Sequence, residues 1–168
     1  MSAAREETQG DFLAGIGYDS HRLVAGRRLI LGGVHIPHEL GLAGHSDADV
    51  LTHALIDALL GAAGLGDIGE RFPDSDERYR DADSIELLGT VVTTVIAAGL
   101  VIVNADCTVM LEQPKLGPWR EEIRTSLARA LGIAVGRVNI KASTGEGIGF
   151  VGRGEGAAAM AVVSLRER

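Results

Sequence analysis

The sequence has a single cysteine, only two lysines and no window of 18 uncharged apolar residues. One cysteine, Cys107, excludes an internal disulfide and is typical of a protein in a reducing compartment. The missing apolar window favours a soluble, cytoplasmic protein over one that spans a membrane. A formal net charge of −7 argues against nucleic acid as a partner, because phosphate binding needs a basic surface. Any anionic ligand must therefore be held locally.

The length and composition predict one globular domain. A chain of 168 residues buries roughly 70% of its unfolded surface, so a core forms without disulfides or a structural metal. Residues 1–11 are polar and carry no signal-peptide pattern, and we expect a flexible leader there, followed by a single domain over residues 12–168. The 23 glycines are about twice the usual share, which predicts tight turns or a backbone that approaches a ligand closely.

Hydrophobic periodicity predicts an α/β fold. The clearest helix lies in residues 44–66, with Ser46 as its expected N-cap and Asp49 three residues later. Residues 67–83 are polar and predict a long surface loop. The remaining pattern predicts helices and strands in alternation: a first strand from Phe12, extended structure broken at Gly32–Gly33, helices in 83–99 and 118–132, strands in 100–111 and 137–143, and a last buried strand in 157–165. We expect a single-layer mixed sheet of about four main strands, with a small hairpin and with helices on one face.

Asp19 and His21 are candidate metal ligands. Alternate residues of a strand face the same way, so these two side chains would lie on one face. His53 on the predicted helix would complete three protein ligands, the number found in open zinc sites. The alternatives are a solvated strand edge and an ordinary helix histidine with a satisfied hydrogen bond. Spacing alone leaves them open.

Three further segments could bind an anion or a hard cation. His45 and Ser46 precede a helix, whose N-terminal N–H groups attract anions, although Ser46 could serve only as a cap. Lys115 could contact phosphate, or it could be a solvated surface lysine. Glu146 lies in a glycine-rich loop that could approach phosphate and hold Mg²⁺, although a plain turn between strands has the same composition. This loop is not a Walker-type phosphate loop, because the G-x-x-x-x-G-K-[ST] pattern is missing.

Taken in order, these motifs resemble the 2-C-methyl-D-erythritol 2,4-cyclodiphosphate synthase family of the non-mevalonate isoprenoid pathway. The segments that carry the resemblance are "GIGYDSHRL", "GHSDADVLTHALIDALLGAAGLGDIGERFPDSD", "EQPKLGP" and "IKASTGEGIGFVGRGEG". It runs from about Gly15 to the C-terminus. Ala48 departs from the pattern, since the family usually has glycine there.

The resemblance implies two divalent metals. Asp19, His21 and His53 match the family's zinc ligands, with the fourth position left for an oxygen of the substrate's β-phosphate. Glu146 matches the ligand of a Mg²⁺ or Mn²⁺ ion. His45 and Thr144 match the two residues taken to stabilise the transition state.

The resemblance also implies a substrate site shared between subunits of a homotrimer, whose sheets face each other around the axis. Residues matching contacts to the cytidine, phosphate or methylerythritol parts, or lining the trimer's central cavity, are Ser46, Asp67, Ile68, Gly69, Phe72, Asp74, Asp76, Pro114, Lys115, Leu116, Ala142, Ser143, Phe150 and Arg153. The implied enzyme is a lyase. It converts 4-diphosphocytidyl-2-C-methyl-D-erythritol 2-phosphate into the cyclic diphosphate and releases CMP.

Two other functions remain open at this stage. The same ligands could activate a zinc-bound water, which would make the protein a metal-dependent phosphohydrolase of a nucleotide-linked substrate. The protein could also be a non-enzymatic binding module with a structural metal. Structural zinc sites are usually closed and rich in cysteine, which disfavours that reading.

Overall fold

The computed structural model describes residues 11–168. The expected leader therefore lies, apart from Asp11, outside the described residues. The strands are β1 (Phe12–Ala25), β2 (Leu29–Leu31), β3 (Val34–Ile36), β4 (Leu40–Leu42), β5 (Leu100–Met110), β6 (Val138–Ser143) and β7 (Gly156–Glu167). The helices are α1 (Val50–Ala63), α2 (Ile68–Arg71), α3 (Ser84–Ala97), α4 (Arg120–Leu131) and α5 (Gly149–Gly152).

Five strands form one mixed sheet in the order β4-β1-β7-β5-β6. Only β5 and β6 run parallel, with α4 in the connection between them, and the other pairings are antiparallel. Strands β2 and β3 form a separate hairpin across the Gly32–Gly33 turn. The α/β class, the mixed sheet and the small hairpin are thus confirmed. The strand beyond the expected four is the three-residue β4.

The helices cover one face of the sheet. Helix α1 packs on β1 and β7, and α3 packs against α1. The covered face is apolar and buried, and it includes Cys107, Ala161 and Val163. On the opposite face Ile16 and Val162 remain 62% and 44% exposed, which leaves an uncovered apolar surface on the single chain.

Three local expectations require correction. The N-cap of α1 is Asp49 rather than Ser46, because the Asp49 carboxylate accepts the Thr52 N–H at 3.0 Å. Strand β7 is buried on one face only, since alternate residues such as Met160 point to the uncovered face. The polar segment 67–83 is not wholly a loop, because it contains α2 and a short 3₁₀ turn over Glu77–Tyr79.

Two smaller features agree with the sequence. The helix predicted in residues 83–99 is α3, and its N-cap Asp83 accepts the Ile85 N–H at 2.8 Å. Ala48, at the position where glycine is usual, has a φ of +57°, the left-handed region that favours glycine.

Within residues 11–168 no helix combines the length and the apolarity that crossing a bilayer requires.

Candidate metal centre and adjoining cavities

Strand β1 presents Asp19 and His21 to the helix-covered side of the sheet. Its residues alternate between the two faces, so Ser20 between them is exposed on the other side. Leu13, Gly15 and Gly17 precede Asp19 on the same inner face. The expectation that both potential ligands share a face is confirmed.

Glycine brings this strand within reach of α1. A Cβ at Gly15 would lie 2.0 Å from the carbonyl oxygen of Ala58, and a Cβ at Gly17 would lie 1.9 Å from that of Ala54. Neither distance leaves room for a side chain. The backbones of β1 and α1 therefore approach more closely than any other residue type permits, and His53, one residue before Ala54, reaches the inner face of the strand.

Asp19, His21 and His53 bring three potential ligand atoms together. Asp19 Oδ2 lies 2.9 Å from His21 Nε2 and 3.0 Å from His53 Nδ1, and the two nitrogens are 3.3 Å apart. Zinc ligands stand about 2.0–2.1 Å from the metal, so two corners of a tetrahedron around it are about 3.3 Å apart. The triangle fits a divalent metal with little adjustment, and the donor set of two imidazoles and one carboxylate suits zinc.

The hydrogen bonds of His21 orient its ring for coordination. Its Nδ1 lies 2.7 Å from the carbonyl oxygen of Ala43, which can only accept, so Nδ1 carries the proton and donates it. The Nε2 lone pair is left pointing at the triangle. Burial alone would lower the pKa of His21, but the hydrogen bond and charge of Asp19 raise it.

Asp19 is held in its charged form. Burial opposes ionisation, yet the neighbouring imidazoles of His21 and His53 together bring the pKa of Asp19 far below its usual range. A carboxylate that stays ionised is the form a cation needs. Asp19 therefore contributes a negative charge to the cluster, which favours a divalent ion at its centre.

The ligand triangle opens into a cavity of about 530 Å³. Several predicted substrate contacts line the same space as the triangle, and the wall includes His45, Ser46, Ile68, Gly69, Phe72, Pro73 and Asp74. His45 Nε2 is buried there without a hydrogen-bond partner among residues 11–168. Buried polar atoms nearly always have a hydrogen-bond partner, so we expect a water or a ligand atom to bond to this nitrogen.

A second cavity of about 370 Å³ lies between the β6–α5 loop and the segment that follows β5. Six predicted residues line it, namely Lys115, Leu116, Ala142, Ser143, Thr144 and Glu146. The Thr144 hydroxyl donates to the Glu146 carboxylate. Glu146 has a φ of +50°, a conformation that non-glycine residues seldom adopt and that often marks a functional loop.

The two cavities share no lining residue, so one chain does not bring all the predicted residues together. Phe150 lines a third, smaller cavity of about 220 Å³, and Arg153 is ion-paired with Glu155. Three predicted contacts lie beside the cavities without lining them, namely Asp67, Asp76 and Pro114. Asp76 is paired with Arg78.

Comparison with known proteins identifies the family to which this chain belongs. The sequence model described as the YgbB family matches residues 12–166. The chain belongs to the YgbB family.

Individual YgbB relatives agree over nearly the whole chain. A protein of Salinibacter ruber named 2-C-methyl-D-erythritol 2,4-cyclodiphosphate synthase is 60% identical over 152 residues, which cover 90% of this chain and 97% of that protein. A solved structure of a synthase of that name, in its CDP-bound form, superposes with a TM-score of 0.84 at 42% identity, covering 90% of this chain and 99% of the other. The bifunctional IspDF of Campylobacter jejuni gives a TM-score of 0.91 at 42% identity; the match covers 95% of this chain but only 43% of that longer one.

Two residues that hold this YgbB-family site together were not among the predicted site residues. Glu112 accepts the Gly145 N–H at 2.9 Å and so ties the loop of Thr144 and Glu146 to the segment after β5. Asp57 accepts the Ile68 N–H at 2.8 Å and anchors the start of α2 at the first cavity. Asp57 lies one helical turn after His53, and this spacing could have indicated a role at the site. The sequence around Glu112 contains no comparable indication.

Proposed function

We propose that this protein converts 4-diphosphocytidyl-2-C-methyl-D-erythritol 2-phosphate into 2-C-methyl-D-erythritol 2,4-cyclodiphosphate and releases CMP, the activity after which its relatives are named. The observation that carries the proposal is the open triangle of Asp19, His21 and His53 on the wall of a cavity. Three protein ligands with access to a cavity are typical of catalytic rather than structural zinc. A lyase of isoprenoid biosynthesis agrees with both the site and the relatives.

The metal in this triangle is proposed to be zinc. When bound, zinc would supply positive charge that polarises a phosphate oxygen. The protein's own share of the work is to present one carboxylate and two imidazoles on rigid elements. Ile68, Gly69, Phe72 and Asp74 line the same cavity and are proposed, with Asp67 and Asp76 beside them, to hold the methylerythritol part.

The second cavity is proposed to hold the cytidine and the α-phosphate. The Lys115 ammonium and the hydroxyls of Ser143 and Thr144 are groups that recognise phosphate, while Pro114, Leu116 and Ala142 provide backbone and apolar surface for the base. Glu146 is one carboxylate at this cavity. Mg²⁺ or Mn²⁺ is typically bound by one or two carboxylates together with substrate phosphates, so Glu146 is proposed to hold that ion.

The reaction needs positioning and charge neutralisation rather than a protein nucleophile. An oxygen of the 2-phosphate bonds to the β-phosphorus of the same molecule, and the bond from that phosphorus to the oxygen of the α-phosphate breaks, so CMP leaves. His45 and Thr144 are proposed to donate hydrogen bonds to the oxygens on which charge develops. Ser46 beside His45 would fix the same phosphate. Ring closure gains from the freedom of motion already lost on binding.

The active site is proposed to lie between subunits of a homotrimer. The two cavities of one chain share no lining residue, which supports a site whose metal half and nucleotide half come from neighbouring copies. The uncovered apolar face with Ile16 and Val162 supports association of copies. Phe150 and Arg153, near a third cavity, are proposed to line the central axis. We also propose that the enzyme acts in the cytoplasm.

The decisive experiment is a product analysis with the diphosphate substrate, in the presence of zinc and Mg²⁺. The expected products are CMP and a cyclic diphosphate, detected by ³¹P NMR. Release of inorganic phosphate without a cyclic product would instead identify a phosphohydrolase and refute the cyclase assignment.

Subunit mixing tests the shared active site. His53→Ala damages the metal half, and Glu146→Gln damages the nucleotide half at a Mg²⁺ concentration too low for Glu146→Gln alone to be active, which is the concentration used. In randomly mixed rings about one quarter of the sites would combine two intact halves, because each site takes its halves from neighbouring copies. Mixed trimers should therefore recover about a quarter of wild-type activity, and no recovery would place both halves in one chain.

A further inference from the structure

The side of His53 that faces away from the ligand triangle has its own polar partner. His53 Nε2 lies 2.8 Å from the hydroxyl oxygen of Ser84, the first residue of α3. Ser84 is fully buried, and His53 is 9% exposed. A buried hydrogen bond of this length fixes the plane of the imidazole ring.

The single hydroxyl proton of Ser84 is donated to Asp47 and not to His53. Both the hydroxyl and the backbone N–H of Ser84 donate to the carboxylate of Asp47, the N–H at 3.1 Å. A carboxylate can only accept, so the Ser84 oxygen has no proton left for His53. Ser84 must therefore accept from His53, and the proton of that bond belongs to Nε2.

The direction of these bonds sets the tautomer of His53. With the proton on Nε2, the lone pair lies on Nδ1, the atom 3.0 Å from Asp19 Oδ2 and 3.3 Å from His21 Nε2. We propose that Ser84 and Asp47 are positioning residues that orient His53 and hold it in the Nδ1-coordinating tautomer. This inference rests on the proposed zinc site. Groups that donate and accept behind a metal-bound histidine commonly tune metal affinity.

Other roles for Ser84 are weaker. It is not the cap of α3, because Asp83 supplies that bond to Ile85. The other hydroxyl near His53 Nε2, that of Ser46, lies farther away, at 3.2 Å. Buried polar side chains are costly unless they are used. Ser84 is used here to connect the Asp47 carboxylate to the imidazole of His53.

The Asp47–Ser84–His53 relay also joins His53 to the end of the segment that lines the first cavity. Asp47 donates its backbone N–H to the carbonyl oxygen of Ala82 at 3.1 Å, and Asp81 donates its own to the carbonyl oxygen of His45 at 2.9 Å. The loop that carries His45 and Asp47 is thus fixed against the residues just before Ser84.

The test is zinc affinity. It is measured by competition with a chromogenic chelator, on purified protein that has been stripped of metal and reconstituted with zinc. Ser84→Ala and Asp47→Asn should each weaken zinc binding about 10- to 100-fold. Thr93→Ala is the matched control: it removes a hydroxyl from the exposed side of the same helix, where Thr93 donates only to Gly89 at 2.9 Å. It should bind zinc as the wild type does. Losses in Ser84→Ala and Asp47→Asn no larger than that of Thr93→Ala would overturn the proposal.

A second measurement needs no variant and no catalysis. In the zinc-loaded wild type, long-range ¹H–¹⁵N correlation of the His53 ring should place the proton on Nε2 and the metal on Nδ1. A proton on Nδ1 in protein that still binds one zinc ion would overturn the relay. A wild-type protein that bound no zinc would overturn both, so the two failures are distinguishable.

Discussion

Gly17 of β1 lies against the carbonyl oxygen of Ala54 in α1, at a separation that would put a Cβ only 1.9 Å from that oxygen. Ala54 follows His53 directly, and Gly17 precedes Asp19 by two residues. The contact therefore sets the distance between the strand that supplies two of the proposed metal ligands and the helix that supplies the third.

Gly17→Ala should destabilise the protein and loosen the metal site. A methyl group against helix backbone forces the two elements apart, and overpacking of this kind costs about 3 kcal/mol in the free energy of unfolding. Urea unfolding and zinc titration measure both effects. Gly61→Ala is the control, because a Cβ at Gly61 in α1 would approach nothing closer than 4.0 Å. That change should be neutral or stabilising by up to about 1 kcal/mol, and a Gly17→Ala protein as stable as Gly61→Ala would contradict the packing argument.

His53→Ala should abolish zinc binding while the fold persists. Two ligands from one strand leave an incomplete site, so we expect zinc content to fall from about one ion per chain to near zero. Elemental analysis measures this content, and circular dichroism monitors the fold. His35→Ala, an exposed histidine on β3, is the matched control and should keep its zinc. Unchanged zinc in His53→Ala would show that the ligand assignment is wrong.

Glu146→Gln should raise the Mg²⁺ concentration needed for half-maximal activity and leave zinc content unchanged. The amide keeps the shape of the side chain but loses the charge that a hard cation prefers. We expect an increase of about tenfold or more, equivalent to about 1.4 kcal/mol. Glu122→Gln, on the exposed side of α4, removes the same charge away from the cavity. Equal Mg²⁺ dependence in the two variants would argue against a role for Glu146.

Asp106 should make stability depend on pH. The hydrogen bond from Lys141, 2.7 Å long, lowers the pKa of Asp106 in the folded protein. Its stabilisation is fully present above the unfolded-state pKa of about 3.9 and is lost as pH falls through the lower folded-state value. The pair is partly exposed, so the effect is below about 1 kcal/mol. Between pH 5 and pH 2 the urea midpoint of the wild type should fall more steeply than that of Asp106→Asn, and parallel curves would refute the linkage.

The grouping of Asp19 and His21 was predictable from the sequence because its geometry is local. A period of two on a strand puts Asp19 and His21 on one face whatever the rest of the fold does. Joining His53 to them required the strand and helix to meet, and the glycines before Asp19 were a sign of that approach. The elements themselves followed from periodicity, since each long helix carries its own apolar spacing.

The errors arose where a distant partner decides a local choice. Ser46 was the predicted cap of α1, but the cap is Asp49, whose carboxylate also accepts the N–H groups of Gly32 and Gly33 at 3.0 and 2.7 Å. The links of Glu112 to Gly145 and of Ser84 to Asp47 join positions more than 30 residues apart. No spacing rule reveals such pairs in one sequence.

Helix α1 is buried around nearly its whole circumference, on both sides of His53. Amides in such an element exchange with solvent only when the entire domain opens, so they report the global free energy of unfolding. The His53 amide should therefore exchange at a rate set by global unfolding, and bound zinc should slow that exchange by as much as it stabilises the folded chain.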